Sequence, residues 1–138
     1  MTNYVDPTRE QFGDFMKVPD DGPIWMLNLI KLKDKATYED GREATGREAY
    51  QAYGKESGPI FKGVGGKIAW TGTPKAVLIG PESDLWDVAF IAEYPSAEAF
   101  SAMVKDPAYQ AIVYHRQAAV GDSRLIRIQP GNSGENFG

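Results

Sequence analysis

A chain of 138 residues, 42% hydrophobic and 25% charged, has the size and make-up of one globular domain and leaves little material for a second core. Its formal net charge of -4, with 15 Lys and Arg against 19 Asp and Glu, argues against a nucleic-acid partner, because phosphate binding needs clustered cations. With no cysteine there are no disulfides, thiolate nucleophiles or Cys-ligated metals, and no stretch approaches the roughly 20 apolar residues of a membrane span.

In chain order, residues 1–17 lack the basic stretch and apolar run of a secretory leader, so a cytoplasmic protein is expected. Asp6-Pro7-Thr8 followed by Phe12, Phe15 and Met16 predicts a short helix that ends by Pro19 and the turn at residues 20–23. Residues 24–32 are almost wholly apolar and too short for a typical helix, which predicts a strand covered on both faces, with Asn28 as its polar interior residue. After a turn-rich stretch at 34–44, Thr45 and Glu48 form a capping box. Ala49, Tyr50, Tyr53, Ser57, Ile60 and Phe61 then share one helical face, and Arg47, Gln51 and Lys55 the other. Gly58-Pro59 is expected to kink or interrupt that helix and the glycines of 63–66 to end it.

Residues 66–80 read as a long strand broken by a bulge near Gly72 and Pro74, forming a hairpin with a strand over 86–94. Ser96 caps a helix carrying Phe100, Met103 and Val104, and Asp106-Pro107 opens a second helix expected to end at Gly121. A last strand is expected over 123–129. The chain thus divides into a helical extension, 1–23, a main unit, 24–130, and a flexible tail, 131–138.

The order strand, helix, strand, strand, helix, strand is the split βαβ pattern of an α+β ferredoxin-like domain, βαββαβ, with an extra N-terminal helix. Its helices cover one sheet face. Yet Ile24, Met26 and Ile30 alternate with Trp25, Leu27 and Leu29, and Val88, Phe90 and Ala92 with Ala89 and Ile91. A face that apolar needs a cover, and a second copy of the chain is the economical one.

The segment 106–119, Asp-Pro-Ala-Tyr-Gln-Ala-Ile-Val-Tyr-His-Arg-Gln-Ala-Ala, resembles the signature helix of the family known as domain of unknown function 1330, Tyr109 and Arg116 matching its Tyr and Arg. Gly65-Gly66 before a strand and Glu93-Tyr94-Pro95-Ser96 at a strand-to-helix junction are similar to it as well. The resemblance implies the dimeric α/β-barrel superfamily, in which two ferredoxin-like sheets close into a barrel with a pocket beside each. That superfamily includes cofactor-independent oxygenases, haem-degrading enzymes, isomerases and proteins of no known activity. Where the family has Arg-Gly-Gly on the second strand this chain has Trp70-Thr71-Gly72, which removes a cation from the implied pocket and puts Trp70 there.

Arg116 is the most informative candidate, because on the 106–120 wheel it falls with Ala108, Tyr109, Ile112, Ala119 and Val120. A guanidinium on an apolar face needs a partner: a carboxylate such as Glu93, Asp87 or Glu56, backbone carbonyls, or an anionic ligand. His115, the single histidine, could serve as a general base, or stand as a hydrogen-bonded bystander; alone it makes no metal constellation, and no metal or organic cofactor is expected. Asn28, Trp70 and His115 can be laid on the Asn, Trp and His of the superfamily's haem-degrading members. The resemblance also implies that Asn28 would polarise a substrate carbonyl or enolate, where simple pairing with neighbouring backbone is the alternative. Tyr50 and Tyr53, on the inward face of their helix, could bind a substrate oxygen or fill core, and Tyr109 joins them as the family's Tyr.

Two functions stay open at this level. One is a homodimeric small-molecule-binding protein, as a cofactor-independent oxygenase or isomerase acting on an aromatic or enolisable carbonyl compound, with His115 and Asn28 catalytic and Arg116, Tyr50, Tyr53, Trp70 and Tyr109 binding a small anionic or aromatic ligand. The other is a ligand-binding or structural homodimer without turnover.

Overall fold

The computed structural model describes residues 3–19 and 21–137; Met1, Thr2 and Gly138 lie outside the described residues, as does Asp20 of the expected first turn. Thr8 opens α1, Arg9–Lys17, by accepting the Gln11 N–H on its hydroxyl at 3.0 Å. Phe12 and Phe15 of α1 reach the Phe100 ring, with centroids 6.2 and 5.2 Å away, which ties the extension to the rest of the fold.

β1 spans Ile24–Leu32, as expected. Ile24, Met26 and Ile30 are buried and Trp25, Leu27 and Leu29 half-buried, so the alternation separates a covered sheet face from an open one. α2, Gly46–Gly63, starts with the full capping box: Thr45 Oγ accepts the Glu48 N–H at 3.0 Å and the Glu48 carboxylate accepts the Thr45 N–H at 2.9 Å. A Cβ at Gly46 would overlap the Lys33 carbonyl, so this close approach requires glycine. Contrary to the expected interruption, α2 runs through Gly58-Pro59. The ring deprives only the Lys55 carbonyl of its donor, and Lys55 is exposed, where water can take that bond.

The strand expected over 66–80 is shorter. β2, Lys67–Gly72, pairs antiparallel with β3, Val88–Tyr94, from Lys67↔Glu93 to Gly72↔Ala89, with its register shift between Ile68 and Trp70 and not, as expected, near Gly72 and Pro74. Beyond Gly72 the chain has no strand to pair with, since β2 is an edge strand and β3 begins only at Val88; the β-forming residues 76–79 are therefore loop. A single turn of 3-10 helix, Glu82–Asp84, precedes β3.

α3, Ala97–Lys105, is capped by Ser96, whose Oγ accepts the Ala99 N–H at 3.0 Å. The one helix expected after Asp106 is two, α4, Pro107–Gln110, and α5, Tyr114–Ala119, with a turn at 111–113. Nor does Gly121 end it: β4, Val120–Ile128, already begins at Val120, drawn into the sheet by pairing with Leu32 and by the Lys33 N–H to Ala119 carbonyl bond of 2.8 Å.

The strand order β2-β3-β1-β4, antiparallel throughout, with α2 joining β1 to β2 and α3 to α5 joining β3 to β4, is the ferredoxin-like βαββαβ fold, preceded by α1. Under the helices lie two apolar clusters, one around Ile24, Met26, Ala92, Tyr94 and Met103, the other around Ile30, Ala49, Ala119 and Val120. On the open face Trp70, Ile91, Leu27 and Ile126 stand in one row across all four strands. Trp70 is 50% and Ile126 48% exposed.

Candidate functional site

Between the two clusters the covered face turns polar. On β1, Asn28 comes between Met26 of one cluster and Ile30 of the other, and its Nδ2 donates to the Met26 carbonyl at 3.0 Å. On α2, Tyr53 packs against the first cluster and Tyr50 against the second, with ring centroids 5.7 Å apart. Tyr109 of α4 meets Tyr53 hydroxyl to hydroxyl at 2.8 Å.

Arg116 reaches this layer from α5, its side chain only 12% exposed. Nη1 donates to the Val5 carbonyl and Nη2 to Ser123 Oγ at 3.3 Å, while the Asp6 carboxylate stands 4.0 Å from Nη1. Ser123 opposes Ile30 and Leu125 opposes Asn28, so Ser123 and Asn28 are diagonal neighbours on the covered face. Ser123 in turn donates to the Tyr4 carbonyl at 2.7 Å, and the Tyr4 N–H donates to Asp122 at 2.9 Å. Residues 4–6 thus lie over the guanidinium, with Val5 packed into the second cluster.

Burial controls the acidity here. It pushes the Tyr50 phenol up to about 12 and the Tyr53 phenol well above the ordinary tyrosine value, with the Arg116 charge working in the opposite direction on both. Phenols are protonated at pH 7 in any case, and burial extends that state further into alkaline pH.

His115, next in sequence to Arg116, faces elsewhere. Its ring is buried, Nε2 lies 2.5 Å from the Glu56 carboxylate of α2, and Nδ1 lies 2.6 Å from the Tyr38 hydroxyl, on the loop between β1 and α2. Because a carboxylate only accepts, Nε2 carries a proton, and in the neutral ring Nδ1 is then free to accept from Tyr38. Glu56, His115 and Tyr38 form a three-member hydrogen-bonded chain. The Arg42 guanidinium sits 4.4 Å from the Tyr38 ring centroid, and Tyr114 packs edge-on against that ring at 6.0 Å. Burial raises the Tyr38 pKa, and the Arg42 charge opposes the rise.

The sequence candidates therefore separate into three places. Arg116, Tyr50, Tyr53 and Tyr109 come together under the helices, with Asn28 on the sheet beside them; His115 points to a different surface, and Trp70 lies on the opposite face of the sheet. The carboxylates weighed for Arg116 are engaged elsewhere. Glu93 accepts from the Trp25 indole at 2.8 Å and pairs with Lys67 at 3.3 Å, Asp87 accepts the Leu32 N–H at 2.8 Å, and Glu56 holds His115. Tyr38, Val5, Asp6 and Ser123 were not singled out by sequence, and no periodicity could have done so, since Arg116 and Val5 are 111 positions apart. Two surface depressions, one between α1 and Val104 and Lys105, the other around Pro23, Glu93 and Gln129, are lined by none of the candidates. Among the described residues no three His, Asp or Glu side chains converge as a metal site, and no helix is long and apolar enough to cross a membrane.

Sheet order, helix placement and the α4–α5 segment bearing Tyr109 and Arg116 define a ferredoxin-like α+β protein. The sequence profile of the domain of unknown function DUF1330 matches residues 42–128, from the end of the β1–α2 loop through β4, and the chain belongs to this family. It is 53% identical to the RPA0582 protein, of unknown function, from Rhodopseudomonas palustris. Against the crystal structure of the methylated form of that protein the TM-score is 0.94, covering 98% of this chain and 100% of that one; against another crystal structure of it the score is 0.91, covering 96% and 100%. A ferredoxin-like protein from Mesorhizobium loti aligns over 81% of this chain and 100% of its own at 17% identity and a TM-score of 0.46, too distant for any functional argument. No curated protein matches the chain.

Proposed function

We propose that two copies of this chain associate through their open sheet faces, in the manner of a dimeric α/β barrel, and that each binds a small anionic or carbonyl compound at Arg116. One observation carries the ligand reading: a nearly buried guanidinium is held by neutral oxygens, and its ion-pair partner among the described residues, Asp6, stands at 4.0 Å on a segment outside the βαββαβ unit. A ligand carboxylate or enolate oxygen in the place of residues 5–6 would meet the charge directly, and Tyr50, a protonated phenol at neutral pH, can donate to the same oxygen. That pairing suits a cofactor-independent isomerase or oxygenase acting on an aromatic or enolisable carbonyl compound. The Glu56–His115–Tyr38 chain is the second group able to move a proton. Trp70, on the open face, goes with the dimer contact in this reading, and the cytoplasm remains the proposed location.

A competing reading, a structural homodimer with no ligand at Arg116, draws on a different observation. The Arg116 and Asn28 side chains already bond to their own chain, and Ser123 ties Arg116 to Tyr4. Thermal unfolding with benzoate, salicylate and an enolisable diketone at millimolar concentration separates the two. Binding at 100 times Kd stabilises by about 2.7 kcal/mol, which raises the midpoint by several degrees. The ligand reading expects such a rise for at least one probe in the wild type and none in Arg116→Met. No rise with any probe, together with a lower midpoint for Arg116→Met, would assign Arg116 to architecture.

A further inference from the structure

β2 and β3 are antiparallel neighbours whose last paired residues are Gly72 and Ala89, a geometry that a turn of about two to five residues can close. The chain instead spends residues 73–87 on the connection. Connections of about this length inside a compact domain are uncommon, and those that occur are functional segments or disordered linkers. Its second half returns to the sheet: Trp86 lies beneath the Lys31 and Arg124 cations, 5.7 and 5.2 Å from its ring centroid, and the Lys31 ammonium donates to the Ser83 carbonyl. Its first half does not. Residues 73–77 carry no regular structure, and the bend at 78–80, where Gly80 has φ +133°, leaves Leu78 95% and Ile79 93% exposed.

Two adjacent branched aliphatic side chains held in water at the tip of an arm forgo the stabilisation that burial would give them. The arm also continues directly from Trp70 and Gly72, so it leaves the molecule at the border of the open face. Leu78 is six residues beyond Gly72, at most roughly 20 Å at about 3.3 Å each, and Ile79 is four residues before the anchored Ser83, at most roughly 13 Å, so the tip can stand some ångströms past the sheet edge without crossing a whole sheet.

We infer that residues 73–80 are a clasp that crosses to the second copy of the chain and buries Leu78 and Ile79 against it, extending the sheet-face contact beyond the sheet edge. The clasp presupposes the self-association proposed above, and a second copy is the favoured occupant because the arm is continuous with that apolar face and the two-fold partner necessarily offers its own arm in return.

Because the chain has no cysteine, Leu78→Cys introduces a single thiol whose maleimide labelling rate reports burial of the tip in an otherwise native protein. At protein concentrations where light scattering shows a dimer, the clasp predicts labelling at least tenfold slower than for the unfolded chain. It predicts recovery of the fast rate on dilution to monomer. Alongside it, Leu78→Asp with Ile79→Asp is expected to keep the circular dichroism of the wild type while the dimer dissociation constant rises at least a hundredfold. A dimeric Leu78→Cys variant whose thiol labels as fast as the unfolded chain, or a double variant that dimerises as well as the wild type, overturns the clasp and leaves the sheet-face dimer standing. A wild type that stays monomeric at tens of micromolar overturns both.

Discussion

The two faces of the sheet use similar side chains to different ends. Toward the helices, Ile24, Met26 and Ile30 are buried in two clusters, and the polar layer between them, from Asn28 to Arg116 and Tyr53, finds its partners within the chain. Toward solvent, the row Trp70, Ile91, Leu27 and Ile126 is half-buried to exposed, and polar groups on that side stand in the rows flanking it, Lys67 and Glu93 toward one end of the strands, Arg124 and Asp122 toward the other. An apolar centre with a polar margin is the anatomy of a protein interface, whereas an apolar core cut by a polar layer is that of a ligand site or a specificity device. Substitutions on the covered face should therefore change folding stability, and those on the open face association.

The largest effect is expected from Leu27→Asp, which places a carboxylate in the middle of the apolar row. Sedimentation should show the dimer weakened by at least a thousandfold, about 4 kcal/mol, with the monomer still folded; a variant that dimerises normally breaks the contrast between the faces. Next, Ile30→Ala, on the covered face and 1% exposed, should cost about 2–5 kcal/mol in urea unfolding while leaving the association constant per folded subunit unchanged.

A titration of tyrosine absorbance sharpens the same contrast. The folded Tyr50 pKa of about 12 lies above the unfolded value of about 10, so this phenol's stabilising contribution is complete below pH 10 and is lost as pH rises through 12. Tyr53 and Tyr94 are raised by burial in the same direction. The native protein should show a late-ionising group of tyrosines that titrate together with alkaline unfolding; ionisation of every tyrosine near pH 10 with the fold intact would contradict the packing of the layer.

The smallest effect belongs to Glu93, in the row beside the apolar one. The Trp25 indole hydrogen bond holds its carboxyl below the ordinary value, partial burial opposes, and Lys67 adds to the lowering. A depressed carboxyl contributes stability above the unfolded pKa of about 4.3 that disappears as pH falls through the folded value. Glu93→Gln should flatten the acid limb of stability below roughly pH 5 by under about 1 kcal/mol, solvent screening keeping the effect small.

Much of this contrast could be read before any coordinates. β1 came out at its observed bounds because an apolar run of that length on both faces fits little else, and the capping box located the start of α2. The failures share a cause. Residues 76–79 have strand composition, but whether a strand forms depends on a neighbour, and none is there. The break at 111–113 carries no Gly or Pro to announce it. For the site, the wheel identified Arg116 as a buried cation without naming its partners, since Val5 and Ser123 meet it only through the tertiary fold. Likewise His115 was visible as a lone histidine, while Tyr38, 77 positions away, and Glu56 became its neighbours only when α2 packed on α5.

The cover proposed for the open face is a second copy of the chain. Light scattering on the purified wild type at tens of micromolar decides whether that copy is there. A mass of twice 15.2 kDa, reverting to 15.2 kDa in Leu27→Asp, is the expected result. A wild type that scatters as a 15.2 kDa monomer at that concentration would contradict it.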